Sequence, residues 1–562
     1  LISKLKLLAA TLAVAFCIAA HFGGSSAHAA RRQSSAQSSS PTQSRTQPPT
    51  PSQGAPTALY EAARALTPQE RRGRSIFLRG ESTEGRAITA LVGEVDVPAS
   101  AMTCAGCHGM RGEGKTEGGV TAGDLTWSNL TKPYGHTHPS GRKHGVFTET
   151  SLIFSITNGI DPAQNQLGVA MPRFRMSPED MADLIAYLKR IEFDRDPGVA
   201  ANSLEVGALL PISGALGETS TAMRDALAAY FDDLNSRGGI YNRKINLKVI
   251  DTSGGNIVTR ARAAIAAGRV FAFVAGMSAG ADAELAALAR EEEIPFVGPS
   301  TLSTQVGTPP NRYVFYLLPG VAEQSRSLVN YAAENLSLKK PRAFVVFAPG
   351  ALTEAAVSAV EDQAKKAGWG EVGRRPFVPA SFDAAQLAAD LKGAGADAVF
   401  FFGGSAEQSA FIKQAVALGW TPNVFLLGAL SGSDLLSAVP VDSKLKIFLA
   451  FPSVPSDITE AGGQEFRALQ AKYKLSPKHT AAQIASLAAA KTFVEGLKLA
   501  GADLSREKLV TALEGLYEFD TGLTPRLVFG PNRRIGAAGA YILTINPQTK
   551  EFSPTGNWVK SN

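Results

Sequence analysis

The chain has 562 residues, a length that at roughly 100–200 residues per domain implies three or four domains rather than one core. Hydrophobic residues at 44% and charged residues at 19% exclude a wholly disordered or collagen-like chain. The formal charge is +6, but Lys4, Lys6, Arg31, Arg32 and Arg45 precede residue 59 in a stretch without acids, which leaves +1 for the rest and no basic footprint for nucleic acid.

Lys4 and Lys6 lead into an apolar run from Leu7 to Ala20, and Ala27-His28-Ala29 has the A-x-A form of a signal-peptidase site. Residues 1–29 therefore read as a cleaved export signal, which directs the chain to the periplasm. The 14-residue run is shorter than the ~20 needed to cross a bilayer, so no membrane span is expected after cleavage. Residues 30–58 read as a flexible linker, because between Arg31 and Thr57 21 of 27 residues are Ser, Pro, Gln or Thr, and none is large and apolar.

A first folded unit is expected over 59–196. Thr67-Pro68-Gln69-Glu70 combines a capping hydroxyl, proline at the first helical position and glutamate three places after the cap, which predicts a helix start. Cys104-Ala105-Gly106-Cys107-His108 is the C-x-x-C-H attachment motif of c-type haem: two thiols add to the two vinyl groups and the adjacent imidazole reaches the iron. The motif predicts one covalent haem c, held by Cys104 and Cys107, with His108 as an axial ligand. A zinc site would need a second ligand pair, and the only other cysteine is Cys17 in the leader. Met171, in a proline-punctuated loop before a helix opened by Ser177-Pro178-Glu179-Asp180, is the expected second axial ligand, with Met176 next. His136, His138 and His144 fall in a Gly/Pro-rich segment and read as a solvated loop; an imidazole ligand or a second metal site is the alternative. Gly109 to Thr116 spells the phosphate-loop pattern G-x-x-x-x-G-K-T, but that loop needs a strand before it and a helix after it, and here the preceding residues carry the haem motif.

Residues 67–191 resemble a class I cytochrome c domain. Cys104, Cys107 and His108 match its attachment motif, and Asn158-Gly159-Ile160-Asp161, Met171-Pro172-Arg173-Phe174 and Leu184-Ile185-Ala186-Tyr187-Leu188 match its later landmarks. The resemblance implies a small all-α domain that carries single electrons.

After a short linker at 197–202, the pattern over 203–562 changes to apolar strands alternating with Ala-rich amphipathic segments, which argues a parallel α/β sheet. One series has strands at 204–210, 245–251, 270–276 and 295–297; a second has strands at 343–347, 398–402, 424–427 and 447–451. Two doubly wound lobes make a hinged cleft, with ligands at the carboxyl ends of the strands. Late helices near 480–499 and 506–514 and a β-like tail imply that the chain crosses between lobes more than once.

Leu210-Pro211-Ile212-Ser213-Gly214, Asn235 to Ile240, the Gly276–Gly280 turn, Ile294 to Ser300 and Phe401-Phe402-Gly403-Gly404 resemble landmarks of the type I periplasmic binding proteins, specifically receptors for branched-chain amino acids and related solutes. The resemblance implies a ligand clamped between lobes, with Ser278, Ser300 and Thr301 offering hydroxyls and amides to an anionic group. Where amino-acid receptors of the family place aromatics and a carboxylate for the ammonium group, this chain has Phe347-Ala348-Pro349-Gly350, Ser405 and Gly428-Ala429-Leu430. An organic acid or alcohol is therefore the expected ligand, since a buried ammonium without a carboxylate costs several kcal/mol.

Together these features predict an exported haem c electron carrier fused to a solute-binding module, serving periplasmic oxidation of a small organic substrate by a dehydrogenase-type partner. The alternatives are the receptor of an ATP-binding-cassette importer and a redox-gated sensor. No Ser/His/Asp set or carboxylate pair points to an enzyme.

Overall fold

The computed structural model describes residues 66–561 apart from 118, 139, 140, 195 and 557. The expected leader and linker lie outside the described residues. The described chain forms two compact units, one ending before Arg195 and the other beginning at Asp196.

In the first unit the Pro68–Arg79 helix starts as its sequence requires: Thr67 Oγ1 accepts from the Glu70 N–H while the Glu70 carboxylate accepts from the Thr67 N–H. This helix packs on the Pro178–Leu188 helix, which opens at Ser177. They approach closely at Gly73, where an added Cβ would lie 1.9 Å from the Asp183 carbonyl oxygen, so only glycine fits the crossing. Phe77, Leu184, Tyr187 and Leu188 fill the core between them. Strand Thr89–Val92 pairs antiparallel with both Val95–Pro98 and Arg173–Arg175. The second pairing fixes the chain immediately after Met171.

The Gly109–Thr116 segment follows the Cys104–His108 helix and runs into a hairpin of Lys115–Glu117 with Val120–Ala122. That is helix before and strand after, the reverse of a phosphate loop.

The second unit has two lobes. The first lobe's sheet is parallel, in the order Val314–Phe315, Phe296–Val297, Ala272–Val274, Ser203–Leu210, Lys244–Asp251. The second lobe's sheet runs Gly373–Pro376, Ala343–Phe347, Ala398–Phe402, Asn423–Leu427, Lys446–Phe451 in parallel, and then antiparallel strands Gly539–Asn546 and Glu551–Pro554 extend it. Val399 to Phe402 are fully buried because helices cover both faces of the sheet, which explains their unbroken apolar run. The core of the first lobe also takes in Leu487, Phe493, Leu509 and Phe529, while Ala540 and Ile542 belong to the second. The chain thus passes between lobes three times, before Val321, after Phe451 and near Ala538. The Val314–Phe315 and Gly373–Pro376 strands are too short to predict from sequence, whereas the Val321–Glu334 helix, which buries Val321, Leu328, Val329 and Ala332, is amphipathic and sequence reasoning missed it.

Candidate functional site

A cavity of about 490 Å³ opens in the first unit, within the size range of cofactor pockets. Cys104, Cys107, His108 and Met171 all line it, with Phe77, Leu152, Phe174 and Leu188 among the apolar residues of its wall. Thr103 caps the five-residue helix that carries the motif, its Oγ1 accepting from the Gly106 N–H, so both cysteines and the histidine are presented from one rigid turn. No disulfide joins Cys104 to Cys107. Before any attachment, desolvation of its sulfur pushes the Cys104 thiol up to about 12.

His108 is buried, and its Nδ1 lies 2.7 Å from the Gly123 carbonyl. A carbonyl only accepts, so Nδ1 carries the hydrogen and Nε2 keeps its lone pair, the tautomer a metal ligand needs. Burial lowers the His108 pKa and so favours the neutral ring, while the Gly123 bond pulls the other way.

Met171 packs against the core, and its backbone oxygen accepts from the Arg173 guanidinium, which also donates to the Leu167 oxygen at 3.0 Å. Met176 packs on the same core but does not line the cavity, whereas Met102 does. An apolar chamber with two thiols and a neutral imidazole, and a thioether also on its wall, fits a haem.

The reading of His136, His138 and His144 as a solvated loop needs correction. His136 and His144 pair across a short antiparallel ladder, and all three rings line the same cavity. Sequence spacing alone hid this, because the turn between them brings residues eight apart side by side. Among the described residues, no group of three or more His, Cys, Asp or Glu side chains is arranged to hold a metal ion.

In the second unit the turn after Ala272–Val274 is built from left-handed residues Ala275, Gly276, Ala279 and Gly280, and it bridges Met277 to Ser300 after Phe296–Val297. Ser278 is buried there, and the Ser300 N–H donates to the Gly276 oxygen at 2.8 Å. The Thr301 hydroxyl donates to Asp282 and accepts from the Ser303 N–H, so both its roles are filled within the protein. Ser278 and Ser300 are thus brought together at the carboxyl ends of adjacent strands, while Thr301 is committed elsewhere.

On the facing lobe, Ser405 follows Ala398–Phe402 and donates to Asp434; Ser409 donates to the other oxygen of that carboxylate at 2.9 Å. Burial alone would raise the Asp434 pKa, but the two hydroxyls hold it below the usual carboxylate range. Sequence reasoning missed Asp434 and Asp282, because neither lies at a position where the family resemblance places a carboxylate. Leu302 to Gly307 instead line a separate cavity of about 420 Å³ with Arg290, Asn311 and Val321. No described helix is long and apolar enough to cross a membrane.

The cytochrome c family model matches residues 99–192, and the periplasmic binding protein family model matches 203–550. A curated relative, the Leu/Ile/Val-binding protein homolog 3 of Brucella melitensis, is 23% identical over 231 residues, which are 41% of this chain and 61% of the relative. The chain therefore spans less than two thirds of that relative's length. A fatty acid ABC transporter substrate-binding protein from Thermomonospora curvata superposes with a TM-score of 0.50 at 19% identity, over 65% of this chain and 95% of its own. A branched chain amino acid ABC transporter protein from Thermus thermophilus, solved with bound valine, gives 0.50 at 19% identity over 63% and 95%. These likenesses establish the fold of the second unit. The chain belongs to the periplasmic binding protein family and carries, ahead of that domain, a cytochrome c domain.

Proposed function

We propose that the chain is an exported electron carrier with a solute-binding module, and that it serves the periplasmic oxidation of a small organic substrate without being an enzyme itself. The observation that carries this reading is that Cys104, Cys107, His108 and Met171 line one apolar cavity. One haem c would be held there, its vinyl carbons bonded to the two cysteine sulfurs and its iron ligated by His108 and Met171. Bound in this way, it supplies a one-electron Fe(III)/Fe(II) couple whose potential the thioether raises. Around it, Gly123 fixes the imidazole, Arg173 holds the backbone of Met171, and the apolar wall excludes water.

The second unit offers Ser278, the Ser300 segment and the amides of a left-handed turn to a carboxylate. The ligand is a small organic acid or alcohol that a dehydrogenase-type partner oxidises. An amino acid, delivered to an ATP-binding-cassette importer, is the second reading; the Asp434 carboxylate beside Ser405 favours it as a partner for an ammonium group, as do the names of the relatives.

The test is a melting series on the full chain with amino acids, small alcohols and organic acids, beside a visible redox titration. The reading expects a reversible one-electron couple and a melting shift with acids or alcohols, since a ligand that binds only the folded form stabilises it. A shift confined to amino acids supports the importer, and an ascorbate-inert chain without visible bands removes the electron carrier.

A further inference from the structure

The three imidazoles on the cavity wall pose a proton-counting problem. The rings of His136 and His138 lie 4.6 Å apart and those of His138 and His144 5.0 Å apart. His144 Nδ1 is 2.7 Å from the Gly145 carbonyl, which only accepts, so this nitrogen carries a hydrogen and a neutral His144 has a lone pair at Nε2. That Nε2 faces His138 Nε2 at 3.0 Å, and the same His138 nitrogen faces Arg142 Nη2, which only donates, at 2.8 Å. A hydrogen on His138 Nε2 satisfies His144 and opposes Arg142. Without it Arg142 is satisfied, and two lone pairs meet. One additional proton, on His144 Nε2, relieves the conflict, because the single lone pair of His138 Nε2 is then shared between two donors and no longer faces a second lone pair.

The surrounding charges decide whether the proton binds. Arg142 opposes it, and Asp161, 2.5 Å from the guanidinium and fully buried, favours it. Lys143 neighbours the cluster in sequence and is exposed, while the carboxylate of Asp124, also on the cavity wall, accepts from the Thr126 N–H and hydroxyl. Burial, then Arg142, His136 and His144, hold the His138 pKa down at about 4, with Asp161 pulling the other way. The site is thus one where a proton is wanted by geometry and opposed by positive charge.

We propose that His138 and His144 form a proton-binding site coupled to the electron: when a one-electron donor reduces the haem iron from Fe(III) to Fe(II), the pair takes one proton from solvent, and it releases that proton on reoxidation. The proposal rests on the haem reading above. Reduction removes one positive charge from the cavity the histidines line, which lowers the cost of adding one to its wall. Linkage makes the effect reciprocal. The reduced form binds the proton more tightly, so the midpoint potential falls as pH rises through the interval between the oxidised and reduced titrations, with a limiting slope of about 59 mV per tenfold change in proton concentration for one electron.

The experiment is a spectroelectrochemical titration of the full haem-loaded chain from pH 4 to 8, with His138→Gln and His144→Gln variants alongside. The expected result is a sloping potential in the parent and a flattened one in both variants, at unchanged visible spectrum. As a readout independent of the variants, NMR titration of the histidine rings in the parent should show one of these rings titrating at higher pH in the reduced state. A pH-independent potential, or a slope that both variants retain, overturns the proposal and in the second case assigns the slope to another group such as a haem propionate. A chain that carries no haem overturns the underlying reading, which the visible spectrum distinguishes at the outset.

Discussion

Asp180 offers a quantitative test of the electrostatics that hold the cytochrome unit. Its carboxylate accepts two hydrogen bonds from Arg86, at 2.7 and 2.9 Å, and one each from the Ser82 and Ser177 hydroxyls. The Arg86 bonds hold the carboxyl at about 2, below its ordinary 3.8, with the two serines helping against burial. A shift of that size corresponds to at most about 2.5 kcal/mol, and since the Arg86 side chain is 36% exposed, screening reduces it to about 1–2 kcal/mol. The folded-state pKa is depressed, so this stability is fully present above the ordinary value of 3.8 and is lost as pH falls toward about 2. Asp180→Asn should therefore lower the melting temperature of the cytochrome transition by about 4–8 °C at pH 7. The gap between parent and variant should close as the pH is lowered from 5 to 2.5. Equal melting at pH 7, or a gap that stays constant down to pH 2.5, would refute the reasoning.

Three further outcomes follow from single contacts. Gly159 has φ 72°, and a Cβ there would lie 1.8 Å from Arg173 Nε, so Gly159→Ala should cost about 1–2 kcal/mol and, by displacing the guanidinium from the Met171 oxygen, weaken the methionine ligation visible in the haem spectrum. The buried Arg506 guanidinium donates to the Phe271, Glu292 and Val270 oxygens, and Arg506→Met should destabilise the binding unit by about 3 kcal/mol in a urea melt while leaving the haem transition in place. If the ligand is an amino acid, the second reading, Asp434→Asn should weaken its binding by about tenfold or more, measured by calorimetry, and leave binding of an acid without an amine unchanged.

Much of this architecture is legible in the sequence. Helix starts at Thr67 and Ser177 follow from capping residues that act within one turn, and the strands at 343–347 and 398–402 follow from apolar runs buried on both faces. The haem motif is readable because its three residues lie on one short helix. The histidine cluster is different, because its meaning depends on a hairpin that folds His136 against His144 and on a wall supplied by distant segments. Asp434 escapes for a similar reason: its tie to Ser405 spans 29 residues, a separation that no local pattern encodes. Thr301 shows the opposite failure, a residue of the right type in the right loop whose hydroxyl the protein has already used.

The central claim is tested most directly by intact mass spectrometry of the exported chain after acidified-acetone extraction, beside a Cys104→Ser/Cys107→Ser variant. The account predicts that the parent retains the mass of one haem and its visible spectrum through extraction, and that the double variant yields only polypeptide mass. A parent chain that loses all haem on extraction, or never carries it, would contradict the account.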